Sequence, residues 1–201
     1  MNRIPSTVLA GLLALTAVVP VTAGAPVAAA PALAAADAAP ALAAADAAPV
    51  RPAVAENEVL SVHGAGPFRI GARLDRLVAA GLIDWTAPGC PGIVHAGVTG
   101  SWAGAIMLTF RAGRLVSVGT ATAPPRSPAG GAVGMSFAEL ERIYGPRGRM
   151  IRNDAGDAEA YLVRFGSRVE LFSDHPIRPG VGFYAAGPAS YVERSFRQGC
   201  C

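Results

Sequence analysis

From residue 105 to residue 118 apolar and polar side chains alternate: Ala105, Ile106, Met107, Leu108, Thr109 and Phe110 lead into Arg111-Ala112-Gly113, and Arg114, Leu115, Val116, Ser117 and Val118 continue beyond it. A period of two, rich in β-branched and aromatic residues around a glycine turn, predicts a β-hairpin. The same pattern returns at residues 160–165 and 168–172, separated by Gly166-Ser167. Shorter runs at 93–98, 150–152, 182–185 and 190–196 predict further strands.

Two other stretches have helical periodicity. Residues 133–145 read VGMSFAELERIYG, in which Phe137, Leu140 and Tyr144, with Ile143 beside them, form one apolar stripe, and Ala138, Glu139, Glu141 and Arg142 face away. Ser136 followed by Glu139 is a capping box, the serine oxygen accepting from the N3 amide and the glutamate from the N-cap amide. Gly145-Pro146 ends the helix. An earlier copy lies at residues 70–81, where Ile70, Gly71, Leu74 and Leu77 match Val133, Gly134, Phe137 and Leu140 at equal spacing, without the capping box.

This doubling predicts an α+β fold of two tandem repeats, each a short helix followed by an antiparallel hairpin or meander, packed as one compact unit. One helix over one hairpin buries too little apolar surface to be stable alone, and a second copy completes the core. The expected boundaries are about 66–120 for the first repeat, 121–131 for a Pro/Gly-rich linker, and about 132–199 for the second, within a domain of residues 57–201.

The N-terminus changes the picture of where the protein acts. After Met1-Asn2-Arg3, an apolar run from Val8 to Val19 ending in small residues reads as a secretory signal peptide, too short for the roughly 20 residues of a membrane span. Cleavage after Ala25 would leave Pro26 first, whereas Ala34, after Ala32-Leu33, suits the small-x-small rule, so residues 1–34 are assigned to the signal. Residues 31–39, PALAAADAA, recur at 40–48; lacking large side chains and broken by prolines, the segment 35–56 reads as a disordered spacer. No membrane insertion is expected after cleavage, and the protein is expected to be secreted or associated with the cell wall.

All 17 basic residues are arginine, but a formal net charge of +3 excludes a strongly basic nucleic-acid surface. The densest basic stretch, Arg142, Arg147, Arg149 and Arg152, has no aromatic interleaving and reads as a solvated face. Cys90, Cys200 and Cys201 give an odd cysteine count. A bridge between adjacent Cys200 and Cys201 would be strained, so Cys90 is expected to pair with one of them, stabilising the fold by about 4–5 kcal/mol on the chain-entropy model. The third thiol could then link two chains as a dimer.

The stretch VGMSFAELERIYG resembles the Gly-Met-Ser/Thr helix start that each half of the secreted β-lactamase inhibitor protein family carries and that small barrel-assembly-type envelope lipoproteins share. The resemblance implies a helix-then-β-meander unit, doubled so that two sheets form one concave protein-binding face. Ala72 stands where the first copy would carry methionine, and the cysteines do not supply one local disulfide per half. No inhibitory contact residue carries over.

Candidate chemistry is sparse. Gly134-Met135-Ser136-Phe137-Ala138 fits a nucleophile-elbow spacing with Asp174 and His175 downstream, but no strand runs directly into Ser136, and an Asp and a His adjacent in sequence do not form a triad. His63, His95 and His175 lack zinc-ligand spacing, and residues 153–159 lack the register of a calcium loop and read as a turn. No cofactor or metal is expected. Two stretches could bind a partner: the proline-stiffened loop carrying Asp174, His175 and Arg178, and Trp102 on a glycine-rich turn. The expected function is a non-catalytic module binding an extracellular or envelope protein; a structural envelope protein tethered by the spacer is the alternative, followed by a serine hydrolase.

Overall fold

The predicted hairpins form neighbouring strands in one large antiparallel sheet. The computed structural model describes residues 58–199; the signal peptide and the spacer, and Cys200 and Cys201, lie outside the described residues. Three two-residue strands, β1 (Leu60–Ser61), β2 (Gly64–Ala65) and β3 (Phe68–Arg69), make a small sheet. Helix α1 (Leu74–Ala79) precedes β4 (Ile83–Pro88), β5 (Ile93–Val98), β6 (Met107–Arg111) and β7 (Arg114–Thr120). Helix α2 (Phe137–Tyr144) precedes β8 (Gly148–Arg152), β9 (Glu159–Phe165), β10 (Arg168–His175) and β11 (Arg178–Pro188), and α3 (Ala189–Gln198) comes last. The strand order is β4-β5-β6-β7-β11-β10-β9-β8, so the sheet reads the same way inward from either edge and closes at the β7–β11 pair. The fold is α+β and mostly antiparallel sheet. Among the described residues no helix is long and apolar enough to cross a membrane.

Local chemistry sets these elements. The β6–β7 hairpin turns on Ala112 and Gly113 with φ of 48° and 71°, a type I′ turn whose twist matches the strands. The β9–β10 turn has positive φ only at Gly166, as in a II′ turn. At the start of α2 the Ser136 oxygen accepts from the Glu139 amide at 3.3 Å, and the Glu139 carboxylate accepts from the Ser136 amide at 2.8 Å, completing the capping box. Helix α1 begins at Arg73 with no side-chain cap.

Just before each of these two helices the backbone does the same thing. Gly71 and Gly134 have φ of 91° and 87°. Gly71 donates to the Leu115 carbonyl of β7 at 2.8 Å, and Leu115 returns a bond to Ala72 at 2.9 Å; Gly134 donates to Val181 of β11 at 2.8 Å, and Val181 returns one to Met135 at 2.8 Å. Each helix is thereby stitched to the last strand of its own half.

The sheet has two unlike faces. One carries Val98, Leu108, Phe110, Val118, Tyr161, Val163, Phe172 and Tyr184, covered by Leu77 of α1, Leu140 and Tyr144 of α2, and Leu60 and Phe68 of the small sheet. Phe172 and Tyr184 stack at its centre with ring centroids 4.3 Å apart and planes 6° apart. Each buried side chain of this size contributes about 1.5–3 kcal/mol. On the other face, α3 covers Ile151, Ala160, Leu162, Val169, Leu171 and Ala185 with Val192, Tyr191 and Phe196.

Three expectations need correction. Each hairpin belongs to a longer run, because α1 and α2 are each followed by four strands: the first hairpin, β6–β7, ends its run, the second, β9–β10, is the middle of its own, and β4 is a strand that the pattern did not predict. Residues 190–196 are not a strand but most of α3. Tyr191, Val192, Ser195 and Phe196 pack inward at helical spacing, while Glu193 ties the helix to Arg164 of β9 and to Arg197. Trp102, expected on an exposed turn, is 4% exposed in a 3-10 turn, its indole lying where a side chain at Gly66 would stand. Cys90 sits in the β4–β5 connection and is disulfide-bonded.

Candidate functional site

Helix α3 lies over the β8–β11 half and reaches as far as Thr109 and Ser117, leaving the outer part of the β4–β7 surface, around Trp85 and Met107, uncovered, and strand register dictates its side chains. Trp85 of β4 pairs with Gly97 of β5, Gly97 with Met107 of β6, Met107 with Gly119 of β7, and Gly119 with Ala185 of β11. Across the first four strands this row therefore alternates large and minimal residues. A Cβ at Gly97 would come within 2.1 Å of Trp85 Nε1, and one at Gly119 within 2.4 Å of Phe183 Cζ. The glycines are floors on which the two aromatic rings lie.

Trp85 remains 46% exposed and Met107 36%, two of the few large apolar side chains on the surface. The neighbouring row is Ala87, His95, Thr109 and Ser117, in which His95 Nδ1 is 3.2 Å from Thr109 Oγ1. Where these rows meet α3, a cavity of about 250 Å³ opens between His95, Met107, Thr109, Phe183, Tyr191 and Phe196. The site is an apolar, aromatic surface with a few hydroxyls and one imidazole, held on a hydrogen-bonded sheet.

The residues singled out from sequence fall elsewhere. Asp174, His175 and Arg178 share the tip of the β10–β11 hairpin, where His175 pairs with Arg178 in register and their Nε2 and Nη2 atoms stand 3.2 Å apart. Ile177 at that tip is 85% exposed. Because Trp102 is buried, it cannot join them in one binding face. The Ser136 hydroxyl donates to Glu139 at 2.8 Å, while the His175 ring accepts from the Ile177 amide at 3.2 Å, so Ser136 acts here as a helix cap. Asn153 binds the Asp157 and Ala158 amides at 3.1 Å, closing the β8–β9 turn through its own side chain. Among the described residues no three His, Cys, Asp or Glu side chains converge on a metal position.

Sequence reasoning missed Trp85, Gly97 and Gly119. The signal for β4 was present: Ile83, Trp85 and Ala87 alternate with Asp84 and Thr86 between Gly81 and Pro88-Gly89. Nothing in the sequence shows which glycine a ring will lie on, since that depends on register.

No family model matches the chain, and no curated protein matches it. Among solved structures it is similar to a cysteine-rich secretory protein from Staphylococcus aureus subsp. aureus Mu50, with 12% identity and a TM-score of 0.38 over 64% of this chain. The match covers 48% of that protein, so this chain spans about half its length.

Proposed function

We propose that the protein is a secreted, non-catalytic module that binds an extracellular or envelope protein through the bare half of its sheet. The observation that carries this reading is the row Trp85–Gly97–Met107–Gly119, which holds a tryptophan and a methionine half-exposed on a rigid floor. A large aromatic side chain already fixed in place loses little entropy on binding, which is why such residues dominate protein interfaces. The face is broad and backed by hydrogen-bonded strands, which suits another protein's surface better than a small molecule.

On the same reading the domain is a tandem duplication, α1 with β4–β7 and α2 with β8–β11, meeting at the β7–β11 pair. The mirrored strand order supports it, as do the matching positive-φ glycines and the matching reciprocal bonds, Gly71 and Ala72 to Leu115, Gly134 and Met135 to Val181. The equivalence aligns Leu74 and Leu77 with Phe137 and Leu140.

The test is to immobilise the full chain, pass over it the producing cell's culture fluid and detergent-solubilised envelope, and repeat with Trp85→Ala and Met107→Ala. One protein retained in near-equal amount by the parent and lost with Trp85→Ala, with melting temperatures unchanged, is the expected result. Retention of nothing by the parent, or retention indifferent to both substitutions, overturns the assignment and favours a structural role in the envelope.

A further inference from the structure

The strand register continues past the two rows of the candidate face to a third. Ile93 of β5 pairs with Arg111 of β6, as His95 pairs with Thr109 and Gly97 with Met107. Side chains of a strand return to the same face every second residue, so Met107, Thr109 and Arg111 stand on one side of the sheet, the thioether at one end and the guanidinium at the other. Four residues of extended chain separate the two ends, roughly 13 Å at about 3.3 Å per residue.

On α3, Tyr191, Arg194, Ser195 and Gln198 lie at i, i+3, i+4 and i+7, along one side of the helix. With Arg111 they line a cavity of about 400 Å³ that ends against the disulfide-bonded Cys90. This cavity shares Tyr191 and Ser195 with the smaller one beside Met107, so the two adjoin.

Charge decides what the larger cavity can hold. Its lining includes two guanidinium groups and no carboxylate. The acidic residue of α3, Glu193, is taken up on another side of the helix by Arg164 of β9 and by Arg197. Among the described residues neither Arg111 nor Arg194 has a hydrogen-bond or ion-pair partner. Two cations sharing a cavity repel, and an anion between them relieves the repulsion. The fork of a guanidinium matches the two oxygens of a carboxylate, and the Ser195 hydroxyl and Gln198 amide supply further donors.

We propose that this cavity is a carboxylate-binding pocket, and that it receives an acidic side chain of the same partner whose apolar surface rests on Trp85 and Met107. The inference rests on the function proposed above and gives the partner a chemistry. That partner presents an apolar group and a carboxylate along one edge, roughly 13 Å apart, a span of about four residues of extended chain.

The test uses the full chain labelled with ¹⁵N-arginine and two end-blocked pentapeptides, with leucine first, glutamate or glutamine last, and serine between. The glutamate peptide is expected to shift the side-chain signals of Arg111 and Arg194 to saturation. Arg111→Gln, which alters an exposed side chain and leaves Arg194 as the readout, should weaken that binding about tenfold or more, as loss of a charge-assisted hydrogen bond does. No saturable shift, or an equal response to the glutamine peptide, overturns the pocket. A stronger response to inorganic phosphate than to the glutamate peptide also overturns it, assigning a site for free anions instead. The capture experiment separates this inference from the reading beneath it. A protein lost with Trp85→Ala but held equally by the parent and Arg111→Gln refutes the acidic contact and keeps the binding face. A saturable peptide response with no protein retained refutes the partner and keeps the carboxylate pocket.

Discussion

The two halves of the eight-stranded sheet share a plan and differ in the course of the chain beyond their last strand. After β7 the chain turns to the helix-covered side, where the Arg126 amide donates to Glu58 and its carbonyl accepts from Leu60, and Ser127 reaches Tyr144. After β11 it turns to the opposite side and forms α3, which covers Leu162, Val169 and Leu171. The consequence is a division of labour: the second half is buried on both faces and supplies stability, while the first keeps Trp85 and Met107 at the surface. An exposed apolar row on a stable sheet is tolerable when most of the core lies elsewhere, and informative because it is rarely left without a use.

This comparison predicts unequal costs for similar truncations. Leu162→Ala, beneath α3, should lower stability by about 2–5 kcal/mol, as a cavity in a packed core does, whereas Met107→Ala on the bare half should cost under about 1 kcal/mol. Denaturant unfolding of both variants measures the difference, and equal losses would mean the bare face is structurally as important as the covered one. A smaller contrast separates the helices. Ser136→Ala removes the hydroxyl that accepts from the Glu139 amide, leaving only the backbone half of the capping box, and should cost about 1 kcal/mol; Arg73→Ala, at the uncapped start of α1, should change stability by no more than a few tenths. Comparable losses would erase the distinction.

How far these features could be read beforehand depends on how local their cause is. The Ser136–Glu139 cap, the two turns and the strand 93–98 are determined by residues adjacent in sequence, and they stand where the pattern put them. Helix α3 misled because Tyr191, Val192 and Phe196 favour strands by type, while their spacing, with Ser195, is helical; an apolar face to cover decided in favour of the spacing. Trp102 stands among small residues that suggest exposure, yet the neighbour that makes its burial possible is Gly66, some thirty-six positions away (102 − 66). The candidate face was the least legible part, because it arises from the pairing of strands and from a helix that covers one half and not the other.

A substitution with little expected effect on stability tests that face most directly. Gly97 has no left-handed backbone requirement, so alanine fits the strand itself. Its methyl group, however, would stand 2.1, 2.5 and 2.8 Å from Trp85 Nε1, Cε2 and Cδ1. Those ring atoms belong to a half-exposed side chain on an edge strand, free to swing into solvent, and replacing a strand glycine offsets part of the disturbance by reducing unfolded-state entropy. Gly97→Ala should therefore change stability by under about 1 kcal/mol while lifting the indole off its floor. Acrylamide quenching reads this cleanly, because the other tryptophan, Trp102, is buried: the accessible fraction should rise, and retention of any partner held through Trp85 should fall. Unchanged quenching would mean that Trp85 does not rest on Gly97, and the alternating row would lose its role as a preformed anchor.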